Sequence, residues 1–142
     1  MLGLFFSILA GAMMSIQGVF NSRVTEKVGI NETNIIVQGT AFVAALIAFF
    51  IWGKGNLKNI GSVNKLYLLG GIIGVVITFS VIKGISSLGT TVAVSSILIA
   101  QLLTAAMIDF FGLFGAQHQK FGLNEIIGLA IMIAGIVIFK LK

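Results

Sequence analysis

Hydrophobic and polar positions divide the chain into five long apolar runs joined by short polar segments. The runs cover about residues 2–22, 34–53, 66–82, 90–114 and 123–139. A helix needs about 20 apolar residues to cross the hydrocarbon core of a bilayer. The runs are continuously apolar and lack the alternation expected of membrane β-strands. The pattern predicts an all-α integral membrane protein, a single transmembrane domain over 1–142 with five transmembrane helices.

The composition agrees with this prediction and removes several classes of function. Charged residues make up 9% of the chain and the mean hydropathy is +1.13, whereas a soluble domain carries about 25% charged residues. The chain has no cysteine, and its one histidine, His118, stands alone in a polar segment. We therefore expect a lipid bilayer as surroundings, no metal site, no cofactor and no enzymatic activity. Without a basic cluster interleaved with aromatic residues, we expect no nucleic-acid partner.

An odd number of crossings places the two chain ends on opposite sides of the membrane. With the N-terminus on side A, four basic residues fall on side A and five on side B. Because the Lys/Arg bias of short loops sets orientation, this near-even split predicts dual topology. Copies inserted both ways would pair as an antiparallel ten-helix inverted dimer, although an inverted paralogue could also orient the chain. Side A holds Lys54, Lys58, Lys65 and Lys120, and side B holds Arg23, Lys27, Lys83, Lys140 and Lys142.

Two spans carry polar residues at membrane depth. In the first span, small and polar residues share one arc of the helix, and in the fourth span Gln101 lies near the midpoint with Thr104 on the same side. Polar groups in lipid need partners, so these faces should turn inward, either to bind other helices or to line a substrate path. The candidate substrate-binding or pore-lining residues are Ser15, Gln17, Asn21, Gln101 and Thr104.

One acidic residue and six small residues complete the set of candidates. Asp109 lies near the end of the fourth span, where it could couple transport to an ion or anchor a helix end. A carboxylate at the bilayer centre costs about 2.5–3.5 kcal/mol, and less nearer the interface. Small residues allow membrane helices to approach closely. The predicted packing positions are Ser7, Gly11, Gly70, Gly74, Gly128 and Gly135.

Three stretches resemble a known family. They run from Gly11-Ala12 through Gln17 to Asn21, from Ala100-Gln101-Leu102-Leu103 to Asp109-Phe110-Phe111-Gly112-Leu113, and from Glu125-Ile126-Ile127-Gly128 to Ala134-Gly135. The whole chain resembles the YdcZ-like family, five-helix half-units of the drug/metabolite transporter superfamily. The resemblance implies an inner-membrane, antiparallel ten-helix assembly that moves a small metabolite or toxic organic compound.

The chain is also similar, more distantly, to the four-helix small multidrug resistance proteins. Those proteins use a glutamate in the first helix to exchange protons for cations, and the first span here has no acidic residue. The leading hypothesis is a secondary transporter that works by alternating access in an antiparallel dimer. A small dual-topology ion channel and a membrane subunit that transports nothing are the alternatives.

Overall fold

The computed structural model describes residues 1–118 and 122–140, apart from the Lys140 side chain, and its described part is helical with no strand. The all-α prediction is therefore confirmed. The predicted topology residues Lys120 and Lys142 lie outside the described residues. The five α-helices are α1 (Leu2–Val28), α2 (Ile30–Trp52), α3 (Gly70–Leu88), α4 (Thr90–Phe111) and α5 (Leu123–Lys140). Short 3-10 segments cover Leu57–Ser62, Lys65–Leu69 and Leu113–Gly115.

Four described helical segments are long and apolar enough to cross a membrane. They are α1, α2, α4 and the stretch Lys65–Leu88, which joins a 3-10 turn to α3. The fifth apolar stretch, Leu123–Phe139, is shorter. At about 1.5 Å per residue it extends about 26 Å, slightly less than a typical hydrocarbon core of about 30 Å.

The first two helices extend beyond the apolar runs that predicted them. We expected the first helix to end near residue 22, but α1 continues to Val28, and α2 already begins at Ile30. Arg, Glu and Lys are good helix formers, and Arg23 Nη1 lies 3.1 Å from Glu26 Oε1 one turn away. Apolarity reports the depth of a residue in lipid, whereas helix length depends on backbone hydrogen bonds, so the two boundaries differ.

The third and fourth helices differ from their runs for related reasons. The α-helical part of the third span begins at Gly70, after a 3-10 turn in which the backbone N–H of Leu66 donates to Asn64 Oδ1. It continues to Leu88, past the predicted end at residue 82. The fourth helix ends at Phe111 rather than near residue 114, and the Gly112 N–H donates to the carbonyl of Ile108.

Two pairs of consecutive helices are each joined by a single glycine, and the two glycines have the same backbone conformation. Gly29, between α1 and α2, has φ 95° and ψ 161°, and Gly89, between α3 and α4, has φ 77° and ψ 163°. This region is essentially restricted to glycine. At each joint the glycine carbonyl accepts the N–H four residues later, from Thr33 and from Ala93, at 3.1 Å in both cases. At each joint a single residue separates the two helices, with no polar loop between them.

The chain divides into two compact units. The first unit, Met1–Ser86, contains α1, α2 and most of α3, and the second unit, Ser87–Lys142, contains α4 and α5. The described buried residues of the first unit include more polar side chains than apolar ones, as suits helices whose outer faces are apolar. The polar ones are Asn21, Ser22, Thr33 and Asn34, and the apolar ones are Ile82 and Ile85.

We predict that Gly29→Ala destabilises the protein by about 1–3 kcal/mol, because alanine would hold a conformation that costs this amount outside glycine. Gly39→Ala is the matched control, since Gly39 lies inside α2 with open space around its Cβ position. It should leave stability unchanged or raise it by about 0.5–1 kcal/mol. Unfolding of both variants by SDS in mixed micelles checks this, and equal midpoints for the two would contradict it.

Candidate functional site in the groove between α1 and α2

α1 packs closely against α3 at a glycine, Gly18. A Cβ atom on Gly18 would lie 2.6 Å from Ile85 Cδ1 and 3.1 Å from Val81 Cγ1. One turn further along α1, Ser22 Oγ lies 3.2 Å from Ser86 Oγ. Part of the polar arc of the first span is therefore used for packing between helices.

Amide side chains connect α2 to α3. Asn34 Nδ2 donates to the backbone carbonyl of Val75 at 2.9 Å. Gln38 Nε2 donates to Thr78 Oγ1 at 3.2 Å and to Asn34 Oδ1 at 3.5 Å. Both N–H groups of this amide are therefore used in contacts within the protein. These bonds satisfy polar groups that lipid could not satisfy, and they hold α2 against α3.

The base of the α1–α2 pair is closed by a chain of hydroxyl groups. Thr25 Oγ1 donates to Thr33 Oγ1 at 2.9 Å, and Thr33 Oγ1 donates to the Gly29 carbonyl at 2.7 Å. Thr33 is fully buried. The two helices are therefore fixed near the glycine joint, whereas residues 1–14 of α1 and 39–47 of α2 are exposed.

A groove of about 740 Å³ lies between α1 and α2. This volume falls within the range of about 300–1,000 Å³ that small-molecule sites occupy. The walls combine bulky apolar side chains with three polar ones. From α1 the groove is lined by Ala10, Met13, Met14, Ile16, Gln17, Phe20 and Asn21, and from α2 by Val37, Thr40, Ala41 and Ala44.

Asn21 is the most unusual polar residue of this groove. Only 7% of its surface is exposed, yet within residues 1–118 and 122–140 its side-chain amide has no hydrogen-bond partner. No described side-chain nitrogen or oxygen is both fully enclosed and unpaired, so the Asn21 amide retains access through the groove. An amide surrounded by lipid has no alternative partner, and a ligand in the groove could supply the missing bonds.

Of the three predicted substrate residues in the first unit, two line the groove and one does not. Gln17 and Asn21 line the same groove. Ser15 does not line it, and its hydroxyl donates to the Gly11 carbonyl at 3.2 Å. In the second unit, Gln101 and Thr104 are exposed on α4, and Thr104 Oγ1 donates to a backbone carbonyl of its own helix. The substrate roles of all five residues stay predictions.

Sequence reasoning did not assign the α2 wall of the groove. Val37, Thr40, Ala41 and Ala44 are spaced i, i+3, i+4, i+7, which places them on one face of a helix. Three of the four are small, which leaves space beside the larger side chains of α1. This spacing could have identified the wall, but nothing in it shows which helix the face meets.

The second unit contains a smaller hollow of about 430 Å³ between α4 and α5. Glu125 lines it together with Gly128, and Glu125 Oε2 accepts the Gly122 N–H at 2.8 Å, a bond typical of a helix N-terminus. Asp109 is half-buried near the end of α4 and makes no salt bridge within the described residues. Its role as a coupling or structural acid stays a prediction.

The predicted packing glycines and serine differ in their surroundings. The Cβ position of Gly74 lies 3.9 Å from Gln38 Nε2, so Gly74 faces α2. Gly11, Gly70 and Gly135 have open space around their Cβ positions among the described residues. Ser7 is exposed, and its hydroxyl donates to a carbonyl of its own helix. The role of these residues in helix packing stays a prediction.

One comparison with known proteins gives a match. The sequence profile described as "Putative inner membrane exporter, YdcZ" matches residues 2–138. Neither the curated proteins nor the solved structures contain a match. With four described helices long enough to cross a bilayer, this match makes the chain a multi-pass inner-membrane protein and points to a transporter rather than an enzyme. The chain belongs to the YdcZ family of the drug/metabolite transporter superfamily.

Proposed function

We propose that the protein is a secondary transporter that exports a small organic molecule by alternating access in an antiparallel dimer. The observation that carries the proposal is the groove between α1 and α2, in which the nearly buried Asn21 amide lacks a protein partner among the described residues. The exporter family supplies the direction of transport.

The position of the groove suits a substrate path. Its polar groups come from α1 and α2, two helices long and apolar enough to span a bilayer. Hydrogen bonds between these polar groups and a solute would stabilise its binding, because lipid offers no alternative hydrogen bonds. The apolar remainder of the lining would bury the carbon skeleton of the solute.

The hydrogen bonds of the first unit support a pivoting motion. α1 and α2 are connected at Thr25, Thr33 and Gly29, and their halves away from Gly29 are exposed. Separation of these halves would widen the groove at one end while the joint keeps the other end closed. Hinge motions of this kind act at a few element-terminal residues.

The antiparallel dimer follows from the near-even charge split and from the need for two access states. In an inverted pair, the two copies could exchange an open and a closed conformation, and the site would then open to the other side. The small residues Ser7 and Gly11 on the exposed part of α1 offer a face for close helix contact with a second copy.

Flux measurements test the transport proposal. In proteoliposomes, wild-type protein should show saturable, ion-gradient-driven movement of at least one compound from a labelled panel of small neutral, cationic and anionic aromatics. Gln17→Leu and Asn21→Leu should lower this flux at least tenfold, since each removes one amide from the groove. Asn31→Leu is the matched control, because Asn31 is exposed at the start of α2 and does not line the groove.

Two results would contradict the transport proposal. Unchanged flux in both groove variants would show that the substrate path lies elsewhere in the protein. An electrogenic current that rises with solute concentration without saturation would identify a channel instead.

Labelling of both membrane faces tests the inverted pairing. The natural chain has no cysteine, so Asn56→Cys introduces a single thiol in the exposed segment between α2 and α3. With an impermeant maleimide, about half of the protein in intact cells should react, and the other half only after the membrane is opened. Complete reaction from one side would show a single orientation and contradict the homodimer.

A further inference from the structure

Within residues 1–118 and 122–140, the structure places no charged group in the lining of the groove between α1 and α2. None of the described lining residues is ionisable. The acidic and basic side chains of α1 and α2 lie in the last turns of α1 or the first turn of α2, close to the Gly29 joint. They are Arg23, Glu26, Lys27 and Glu32. Among the described residues of the first unit, a cation in the groove would therefore meet no carboxylate, and an anion would meet no ammonium or guanidinium group.

An unpaired charge at membrane depth carries a large penalty. Scales for charged side chains at the centre of a membrane helix correspond to a discrimination of about 100-fold, and the discrimination is smaller nearer the interface, where Gln17 and Asn21 lie. An uncharged solute avoids this penalty, and its polar groups need only the hydrogen bonds that the groove provides. Because the described lining has no charged side chain, the groove should bind uncharged solutes in preference to charged ones.

The polar groups of the groove also limit the hydrogen bonds that a solute could make. The amides of Gln17 and Asn21 each offer both donors and an acceptor. The Thr40 hydroxyl donates to the carbonyls of Ile36 and Val37 at 2.9 and 3.0 Å, so it presents only lone pairs to the groove. A solute that bonds to all three groups needs at least one N–H or O–H donor, for the Thr40 hydroxyl, and it also satisfies the amide N–H groups when it carries a carbonyl or ether oxygen.

The apolar walls indicate the remainder of the molecule. Met13, Met14 and Phe20 contribute flexible thioethers and one aromatic ring to the lining. Methionine adapts to ligands of different shape and makes favourable contacts with aromatic rings. A groove of about 740 Å³ has room for one aromatic or branched aliphatic group together with its polar end.

We propose, on the basis of the transporter function above, that the substrate is an uncharged amphipathic organic molecule with a hydrogen-bond donor, an acceptor and an apolar body. Asn21 and Gln17 bind its polar end, and the methionines and Phe20 hold its apolar end. The amide of Asn21, free within the described residues, is the specificity-determining contact.

Three probes of similar size that share a benzyl group test the substrate class. They are N-benzylacetamide, which is neutral, benzyltrimethylammonium, which is cationic, and phenylacetate, which is anionic. Equilibrium binding of each labelled probe is measured on the purified full-length protein in detergent, with size-exclusion chromatography of every variant to record its oligomeric state. The wild-type protein should bind the amide saturably and at least tenfold more tightly than either ion.

Substitutions in the groove test whether the probes bind there. Asn21→Leu and Gln17→Leu should weaken binding of the amide at least tenfold, and Asn31→Leu should not change it. Gln17→Glu, a nearly isosteric change at an exposed position of the lining, should raise the affinity for the cation relative to the amide. A site elsewhere in the protein would not respond to this change.

The possible failures are distinguishable. Saturable binding of an ion that depends on Asn21, with weaker binding of the amide, would overturn the neutral class but keep the groove as a substrate site. If no probe binds, or if the groove variants leave all binding unchanged, both the class and the proposed site fail. Loss of the oligomer in Asn21→Leu and Gln17→Leu would show that a helix of a second copy fills the groove, which also overturns the proposal.

Discussion

Hydrogen bonds from polar side chains connect the helices of the first unit, because lipid gives a polar group no partner. Asn34 bonds to a backbone carbonyl of α3, and Thr25 and Thr33 connect α1 to α2. These bonds decide which helix faces meet, since apolar side chains gain little by moving from lipid to another helix. The Asn21 amide stands outside this network among the described residues, and that exception directs attention to the groove.

The polar arc of α1 serves two purposes that its sequence does not separate. Gly18 and Ser22 contact α3, where the missing side chain and the small hydroxyl permit a close approach. Gln17 and Asn21 lie toward α2 and line open space. A single helix face therefore both packs against α3 and lines the groove. The hydrogen bonds at Thr25, Thr33 and Gly29 hold α1 and α2 together at one end.

Much of this architecture could be predicted from the order of apolar and polar residues. The five helices, the inward polar face of α1 and the family followed from the sequence, and the structure and the family match confirm the helices and the family. The helix ends at Val28 and Leu88 could not be predicted, because polar residues extend a helix beyond the lipid without changing its hydrogen bonds. Thr40 was missed as part of the groove, since a small-residue face on α2 does not reveal its neighbour. The relation of Gln101 and Asp109 to a substrate stays a prediction.

The central claim is that a polar groove open to water and solute runs beside Asn21 within the membrane. Because the natural chain lacks cysteine, the variants Asn21→Cys and Ile8→Cys each carry one thiol, and only a thiolate in contact with water reacts readily with a water-soluble maleimide. Labelling rates in membranes should be high at position 21 and low at position 8, which is exposed on the apolar side of α1. Equal, slow labelling at both positions would contradict the account.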